Sequence, residues 1–332
     1  MNDRAVSLLE QYEIEVIRTR KGRGAILCDT DKGCYIFKEY IGNEERIAMQ
    51  NRLLTHIGQQ GKVQVESILP TKEGALFVKD MDGVQYILKT YSEGRECNIY
   101  EKKECMEAVR LLARLHECME LPVCDEKTPV PFSPSKEYEK RNKELKRVRR
   151  YLQQRSQKTW FEISLMNHFD YFLEQAFTVT EEWNGYQKML ETDKEQENKI
   201  TYCHGDYQYH NILFNDNSRF IINFEKCLPD NPIRDLYLLL RKLLEKSNWS
   251  INLGEELLAV YEKERPISAI SYIDLYYRLA YPEKFWKIAN FYYNSGKAWI
   301  PERNQEKLLK LVEQEKEKQH FLQEVFRSVK RR

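Results

Sequence analysis

An acid and an amide five residues apart, followed by an apolar run that ends in a polar residue, form the stretch of this chain best suited to chemistry. Asp206 and Asn211 lie in Ile200-Thr-Tyr-Cys-His-Gly-Asp-Tyr-Gln-Tyr-His-Asn-Ile-Leu-Phe214, and Phe220-Ile-Ile-Asn-Phe-Glu225 follows. This is the order used by a phosphoryl-transfer loop: a base, a metal ligand and a second metal ligand. Such a reaction depends on positioning and charge neutralisation, so Asp206 is expected to accept the proton of an attacking hydroxyl and Asn211 to hold Mg2+. The residue after the strand, Asn223, is expected to hold metal against the phosphates of ATP, but its amide removes one negative charge where phosphate must be neutralised. Glu225, two residues on and on the same side of an extended chain, is the surrogate carboxylate.

The elements that position these residues can be read from periodicity. Ile14 to Tyr40 alternates around two breaks, Lys21-Gly22-Arg23-Gly24 and Asp31-Lys32-Gly33, and its last strand carries Lys38 near its end. Asn43, Glu44 and Glu45 start a helix whose apolar stripe, Ile47, Leu53, Leu54 and Ile57, runs to Gly58. Short apolar runs at Val63–Leu69, Ala75–Lys79 and Tyr86–Tyr91 complete a small sheet. After Glu93 the pattern turns helical, first from Tyr100 to Met119. A Pro129–Pro134 break precedes a helix expected over Lys136–Lys158, with ten Lys or Arg against three Glu and one apolar face. A solvated helix docked by that face explains this charge run better than a nucleic-acid groove, which would interleave aromatic residues. The predicted fold is α+β and bilobal, with a β-rich N-lobe over 1–93 and a larger, mainly helical C-lobe over 94–332.

Composition narrows the class. The chain has 332 residues, and its 53 basic and 52 acidic side chains nearly cancel, so no global field points to nucleic acid or an anionic membrane. No apolar run reaches the roughly 18 residues of a membrane span, and Met1-Asn2-Asp3-Arg4 opens no signal-peptide core, so synthesis in the cytoplasm is expected. The eight cysteines include no Cys-x-x-Cys pair, which argues for reduced thiols and against zinc.

The 204–225 segment resembles the aminoglycoside phosphotransferase and choline kinase superfamily, whose pattern is His-Gly-Asp, four residues, Asn, then Ile-Asp-Phe. The resemblance implies a protein kinase-like fold, ATP and Mg2+ as cofactors and a small-molecule phosphate acceptor. It also implies that Asp235, in Pro232-Ile-Arg-Asp-Leu236, braces the catalytic loop; read alone, Asp235 is a helix N-terminal acid. Lys38 matches the phosphate-pairing lysine, with Glu45 or Glu44 as its ion-pair partner. Thr90 to Gly94, beginning with Thr90 and Tyr91, matches the hinge that meets adenine through its backbone. Gly22 and Gly24 are candidates for a phosphate-covering turn, though a plain hairpin explains them as well.

Almost the whole chain is similar to the CotS family of spore coat proteins. Arg20-Lys-Gly-Arg-Gly-Ala25, Asp31-Lys-Gly-Cys-Tyr-Ile-Phe-Lys-Glu-Tyr40, Glu93-Gly-Arg-Glu-Cys97, Asp235-Leu-Tyr-Leu-Leu-Leu-Arg-Lys242 and Tyr281-Pro-Glu-Lys-Phe-Trp-Lys-Ile-Ala-Asn290 carry the similarity. It implies synthesis in the mother cell, a place in the spore coat and other coat proteins as partners. Two functions then compete: a coat scaffold with a degenerate kinase-like site, and an ATP-dependent kinase with Glu225 as metal ligand. A nucleotide-binding regulator without turnover lies between them.

Overall fold

The computed structural model describes residues 3–22, 24–122, 134–190, 199–216, 218–295 and 302–330. In chain order the elements are β1 (Val16–Gly22), β2 (Ala25–Thr30), β3 (Gly33–Glu39), α1 (Glu44–Gln60), β4 (Gln64–Val65), β5 (Val78–Lys79), β6 (Gln85–Thr90), β7 (Arg95–Glu96), α2 (Lys102–Cys118) and β8 (Glu120–Pro122). Then come α3 (Pro134–Gln154), α4 (Trp160–Leu190), β9 (Lys199–Cys203), β10 (Ile212–Phe214), β11 (Arg219–Ile221), β12 (Leu228–Pro229), α5 (Ile233–Lys246) and α6 (Ile251–Glu264). The last are α7 (Ala269–Ala280), α8 (Glu283–Ser295), α9 (Glu302–Glu313), α10 (Glu315–Val325) and α11 (Arg327–Lys330). The chain divides into two compact units, one of Met1–Cys124, Lys199–Leu239 and Val260–Arg265, the other of Asp125–Asn198, Leu240–Ala259 and Pro266–Arg332. The boundary at residue 93 read from the sequence follows the change from strands to helices. The units follow packing, which groups the N-terminal sheet with the 204–225 loop.

The first unit is built on a five-stranded antiparallel sheet of order β1-β2-β3-β6-β5. Both expected breaks are hairpin turns. Gly24 (φ 68°) and Gly33 (φ 119°) take backbone conformations that side chains oppose, and Thr30 Oγ1 closes the second turn on Gly33 O at 2.8 Å. One face of the sheet buries Cys28, Phe37, Tyr86 and Leu88 under Leu9 of an N-terminal 3-10 helix (Asp3–Gln11) and Tyr12 just after it, with Phe37 stacked on Tyr86 at 5.2 Å. Of the strands expected at 63–69 and 75–79, only β4 and β5 are regular; Ile68 adds an isolated bridge to Lys89, and between the two runs Thr71 folds back on Ala75 through backbone and side chain. α1 starts as its sequence predicts, with Asn43 Oδ1 accepting the Arg46 N–H at 2.9 Å. It runs two residues beyond Gly58, to a left-handed Gly61. A second sheet, β4-β11-β10-β7, joins the N-terminal region to the loop segment, and β12-β9-β8 forms a third.

In the second unit α3 packs on α4 and α8 through Tyr138, Asn142, Leu145, Val148 and Leu152. Its charged face lies outward, as expected, but it stops at Gln154 rather than Lys158. The reason is a capping box: Glu162 N–H donates to Thr159 Oγ1 (3.3 Å) and Thr159 N–H to Glu162 Oε2 (2.5 Å), which starts α4 instead. Several α3 cations are already engaged, Arg141 over the Trp286 ring and Arg149 with Asp170 at 2.7 Å. The Tyr281–Asn290 block packs as a core element. Tyr281 stacks on Tyr138 and donates to Asn142 Oδ1 at 2.9 Å, while Phe285 stacks on Phe172. The Pro129–Ser133 part of the Pro-rich break lies outside the described residues, as does Arg23.

Candidate active site

β9 delivers the chain to His204-Gly205-Asp206, and the turn there admits only glycine. Gly205 has φ 78°, and a Cβ on it would stand 2.1 Å from Lys226 O. Asp235, in the first turn of α5, braces the turn from below. Its two oxygens accept the His204 N–H at 2.6 Å and the Gly205 N–H at 2.8 Å, and His116 Nε2 lies 3.3 Å away. Burial, which alone would raise the Asp235 carboxyl, is outweighed by the hydrogen bonds from His116 and Gly205, which hold it below the ordinary carboxylate value. Burial lowers His116, so a neutral ring serves Asp235 through Nε2–H and accepts the Tyr261 hydroxyl at Nδ1 (2.8 Å). His204 is wholly buried: its Nε2 faces Ile222 O at 3.0 Å and its Nδ1 accepts the Asp206 N–H at 3.2 Å, a pairing that fits the Nε2–H tautomer.

Asp206 has both oxygens engaged, Oδ1 by Gln208 Nε2 at 2.6 Å and Oδ2 by Lys226 Nζ at 2.9 Å. Asn211, buried at the end of a single helical turn, donates from Nδ2 to Asp206 O at 2.8 Å. Its Oδ1 accepts Asn223 Nδ2, also at 2.8 Å. Lys38 Nζ approaches Asn223 Oδ1 at 3.4 Å, and since a lysine only donates, it fixes which end of the Asn223 amide is oxygen. A run of polar contacts therefore joins Lys38, Asn223, Asn211 and Asp206, the residues that the sequence placed in one site. Asn223 sits at φ 69°, a left-handed conformation that asparagine tolerates better than most residues.

A buried charge cluster, not expected from the sequence, underlies this site. Lys89 of β6, 2% exposed, contacts both oxygens of the equally buried Glu66 at 2.8 Å and Glu225 Oε1 at 2.6 Å. Glu66 in turn accepts the N–H groups of Asn223 (2.9 Å) and Phe224 (3.0 Å), so one carboxylate holds the backbone that carries the supposed metal position. Lys38 pairs with Glu225 Oε1 at 3.0 Å. Burial alone would raise the Glu225 carboxyl, but Lys89 and then Lys38 bring it down to about 2. For Lys89 burial works downward and the two glutamates win, leaving it raised.

The remaining expected residues make contacts of their own. Glu45 and Glu44 are exposed in the first turn of α1 and do not reach Lys38, whose ion pair among the described residues is with Glu225. Their position at a helix N-terminus satisfies the dipole instead. The polar residue that α1 does send inward is Gln50, whose Nε2 donates to Phe224 O at 3.2 Å. The N–H groups of Thr90 and Tyr91 donate to Ser67 O and Cys34 O, both at 2.9 Å, so neither is free to meet a base. Gly22, Ala25 and Lys38 are successive cross-strand neighbours, which puts the hairpin tip at the Lys38 end of the sheet.

Magnesium favours hard, charged oxygens, and the donor set can be weighed against that need. Asn211 Oδ1 is taken by Asn223 Nδ2 and Asn223 Oδ1 faces Lys38, and the carboxylates at hand, Glu225 and Asp206, are held by lysines. The local charge is balanced without a metal: Lys38, Lys89 and Lys226 face Glu66, Glu225 and Asp206. The arrangement does not fit a magnesium ion.

Taken with the sheet and helices that carry it, this site defines an α+β chain of the kinase-like phosphotransferase fold. Solved structures agree on the fold. An aminoglycoside phosphotransferase from Alicyclobacillus acidocaldarius superposes with a TM-score of 0.81 at 19% identity, covering 100% of this chain and 97% of that one. A spectinomycin phosphotransferase in complex with ADP and spectinomycin gives 0.62 at 17% identity, covering 93% and 92%. An amicoumacin kinase in complex with AMP-PNP and Ca2+ gives 0.60 at 10% identity, covering 96% and 94%. The chain belongs to the spore coat family described as "Spore coat putative kinase YutH", which matches residues 5–325. It is also 23% identical over 318 residues to spore coat protein S of Bacillus subtilis (strain 168), covering 94% of this chain and 90% of that protein.

Proposed function

We propose that this protein is a structural or scaffolding component of the spore coat whose kinase-like site no longer loads metal efficiently. The observation that carries the reading is the bond between Asn223 Nδ2 and Asn211 Oδ1. It joins the two positions where a phosphotransferase presents oxygens to a metal, and it leaves Asn211 Oδ1 facing a donor instead of a cation. Glu225 is a poor substitute, because a metal would have to displace Lys38 and Lys89 from the same carboxylate. Asp206 could act as a base only after Lys226 withdrew from Oδ2. Synthesis in the mother cell and contacts with other coat proteins belong to the same reading, supported by the family.

The retained order of Lys38, Asp206 and Asn211 favours a second reading, an ATP-dependent kinase acting on a small molecule with Glu225 recruited to the metal. A phosphate-transfer assay with Mg2+ and ATP separates the two. The scaffold reading expects no turnover above that of Asp206→Ala; turnover that Asp206→Ala abolishes would establish the kinase.

A further inference from the structure

The second unit carries a cavity of about 630 Å3 whose walls are unlike the rest of this nearly neutral chain. α8 lines it with Lys284, Lys287, Ile288 and Phe291, the i, i+3, i+4, i+7 spacing of one helix face. α9 adds Arg303, Lys307 and Lys310, again one face, and α5 adds Arg241, Lys242 and Lys246. Eight of the twelve lining residues are therefore Lys or Arg, against one acid, Glu245.

The inner cations are compensated. Glu245 pairs with Arg241 at 2.8 Å and Lys284 at 3.3 Å, and Lys287 pairs with Glu283. The outer ones are not: Lys242, Arg303, Lys307 and Lys310 make no ion pair among the described residues. Burial first, then the neighbouring cations Arg241, Lys287 and Lys284, lower Lys242 from its ordinary value, which marks a site where positive charge is held at a cost. Three helices converging like charges on one concavity act against folding unless an anion completes the site. The ring of Phe291, 54% exposed, and Ile288 give the same cavity an apolar strip.

We propose that this cavity binds a small organic molecule bearing at least two phosphate groups. Its volume lies in the range of small-ligand pockets, about 300–1,000 Å3. Two phosphomonoesters at about −1.5 to −2 each match the four uncompensated cations. The Phe291 and Ile288 strip receives the carbon skeleton, and lysines, as mobile point charges, suit phosphates whose spacing they can follow.

The test is calorimetric titration of the full chain with fructose 1,6-bisphosphate, with inorganic phosphate and a poly-glutamate peptide as comparison probes. The bisphosphate should bind more tightly than phosphate, and raising salt should weaken it. The triple variant Lys242→Gln/Lys307→Gln/Lys310→Gln should weaken it at least tenfold, and Lys310→Gln alone about threefold, by loss of one of four cations. Lys38→Met, in the other unit, should leave it unchanged. The proposal fails if the bisphosphate does not bind or if only poly-glutamate binds. It also fails if a control triple on exposed α3 lysines, Lys136→Gln/Lys140→Gln/Lys143→Gln, weakens binding as much as the cavity triple.

Discussion

The Asn223 side chain donates from Nδ2 to Asn211 Oδ1 at 2.8 Å, so each of two positions that would face a metal satisfies the other. An aspartate at 223 would set a carboxylate against that carbonyl oxygen. Asn223→Asp is therefore expected to cost about 1–2 kcal/mol of stability without metal, the usual range for a buried hydrogen bond lost with an acceptor left unpaired. Urea unfolding in EDTA measures it. A variant as stable as wild type would mean that the amide pair contributes nothing.

The Glu66–Lys89 pair is the deepest charge contact of the site. Lys89→Met is expected to cost about 3–5 kcal/mol, because Glu66 would be left buried without its cation and Glu225 would keep only Lys38. Adding Glu66→Gln to Lys89→Met should cost less than the sum of the single changes, since the uncompensated charge is removed with its partner. Additive losses in denaturant unfolding would show that the two side chains do not act as a pair.

Acid should unload the same cluster at Glu225. Its folded-state pKa, about 2, lies below the ordinary 4.5, so its contribution to stability is fully present above about 4.5 and is lost as pH falls towards 2. The loss is on the order of 2 kcal/mol for a group still one-quarter exposed. Unfolding free energies of wild type and Glu225→Gln, measured from pH 5.5 to 2.5, should converge as the pH drops. A difference that stays constant across that range would exclude the lysine-held carboxylate.

The loop was legible because its chemistry is local. His204-Gly205-Asp206, Asn211 and Asn223 keep fixed separations on short strands, so their order alone puts them together. Lys38 was legible as the lysine near the end of a strand, but its partner was not. Glu45 looks suitable by proximity, yet helix-start acids point to solvent, while Glu225 lies 187 positions away in sequence. Glu66 and Lys89 carry a signal of their own. Each is the single charge inside a mostly apolar run, Val63–Leu69 and Tyr86–Tyr91, and a charge in a buried strand needs a partner of opposite sign. His116 stood in the apolar stripe of α2 and could be read as packing; only the return of α5 and α6 to the same place gives it Asp235 and Tyr261.

Gly205 lies close against Lys226, in the helical turn that follows Asn223. Gly205→Ala is expected to cost about 2 kcal/mol or more, from a left-handed backbone and a Cβ driven against Lys226 O. Thermal unfolding reports the cost, and it should be matched by Asp235→Asn only if the brace and the turn act together. Wild-type stability in Gly205→Ala would mean that the loop has room the structure does not show.

Calorimetric titration of ATP, with Mg2+ and with EDTA, into wild type and Asn223→Asp bears most directly on the central claim. Wild type should bind weakly with no more than about a twofold response to metal, and Asn223→Asp should tighten at least about tenfold when Mg2+ is present, the scale on which a metal site responds to its ligands. Micromolar, Mg2+-dependent binding by wild type that Glu225→Gln abolishes would contradict the account and make Glu225 the working ligand.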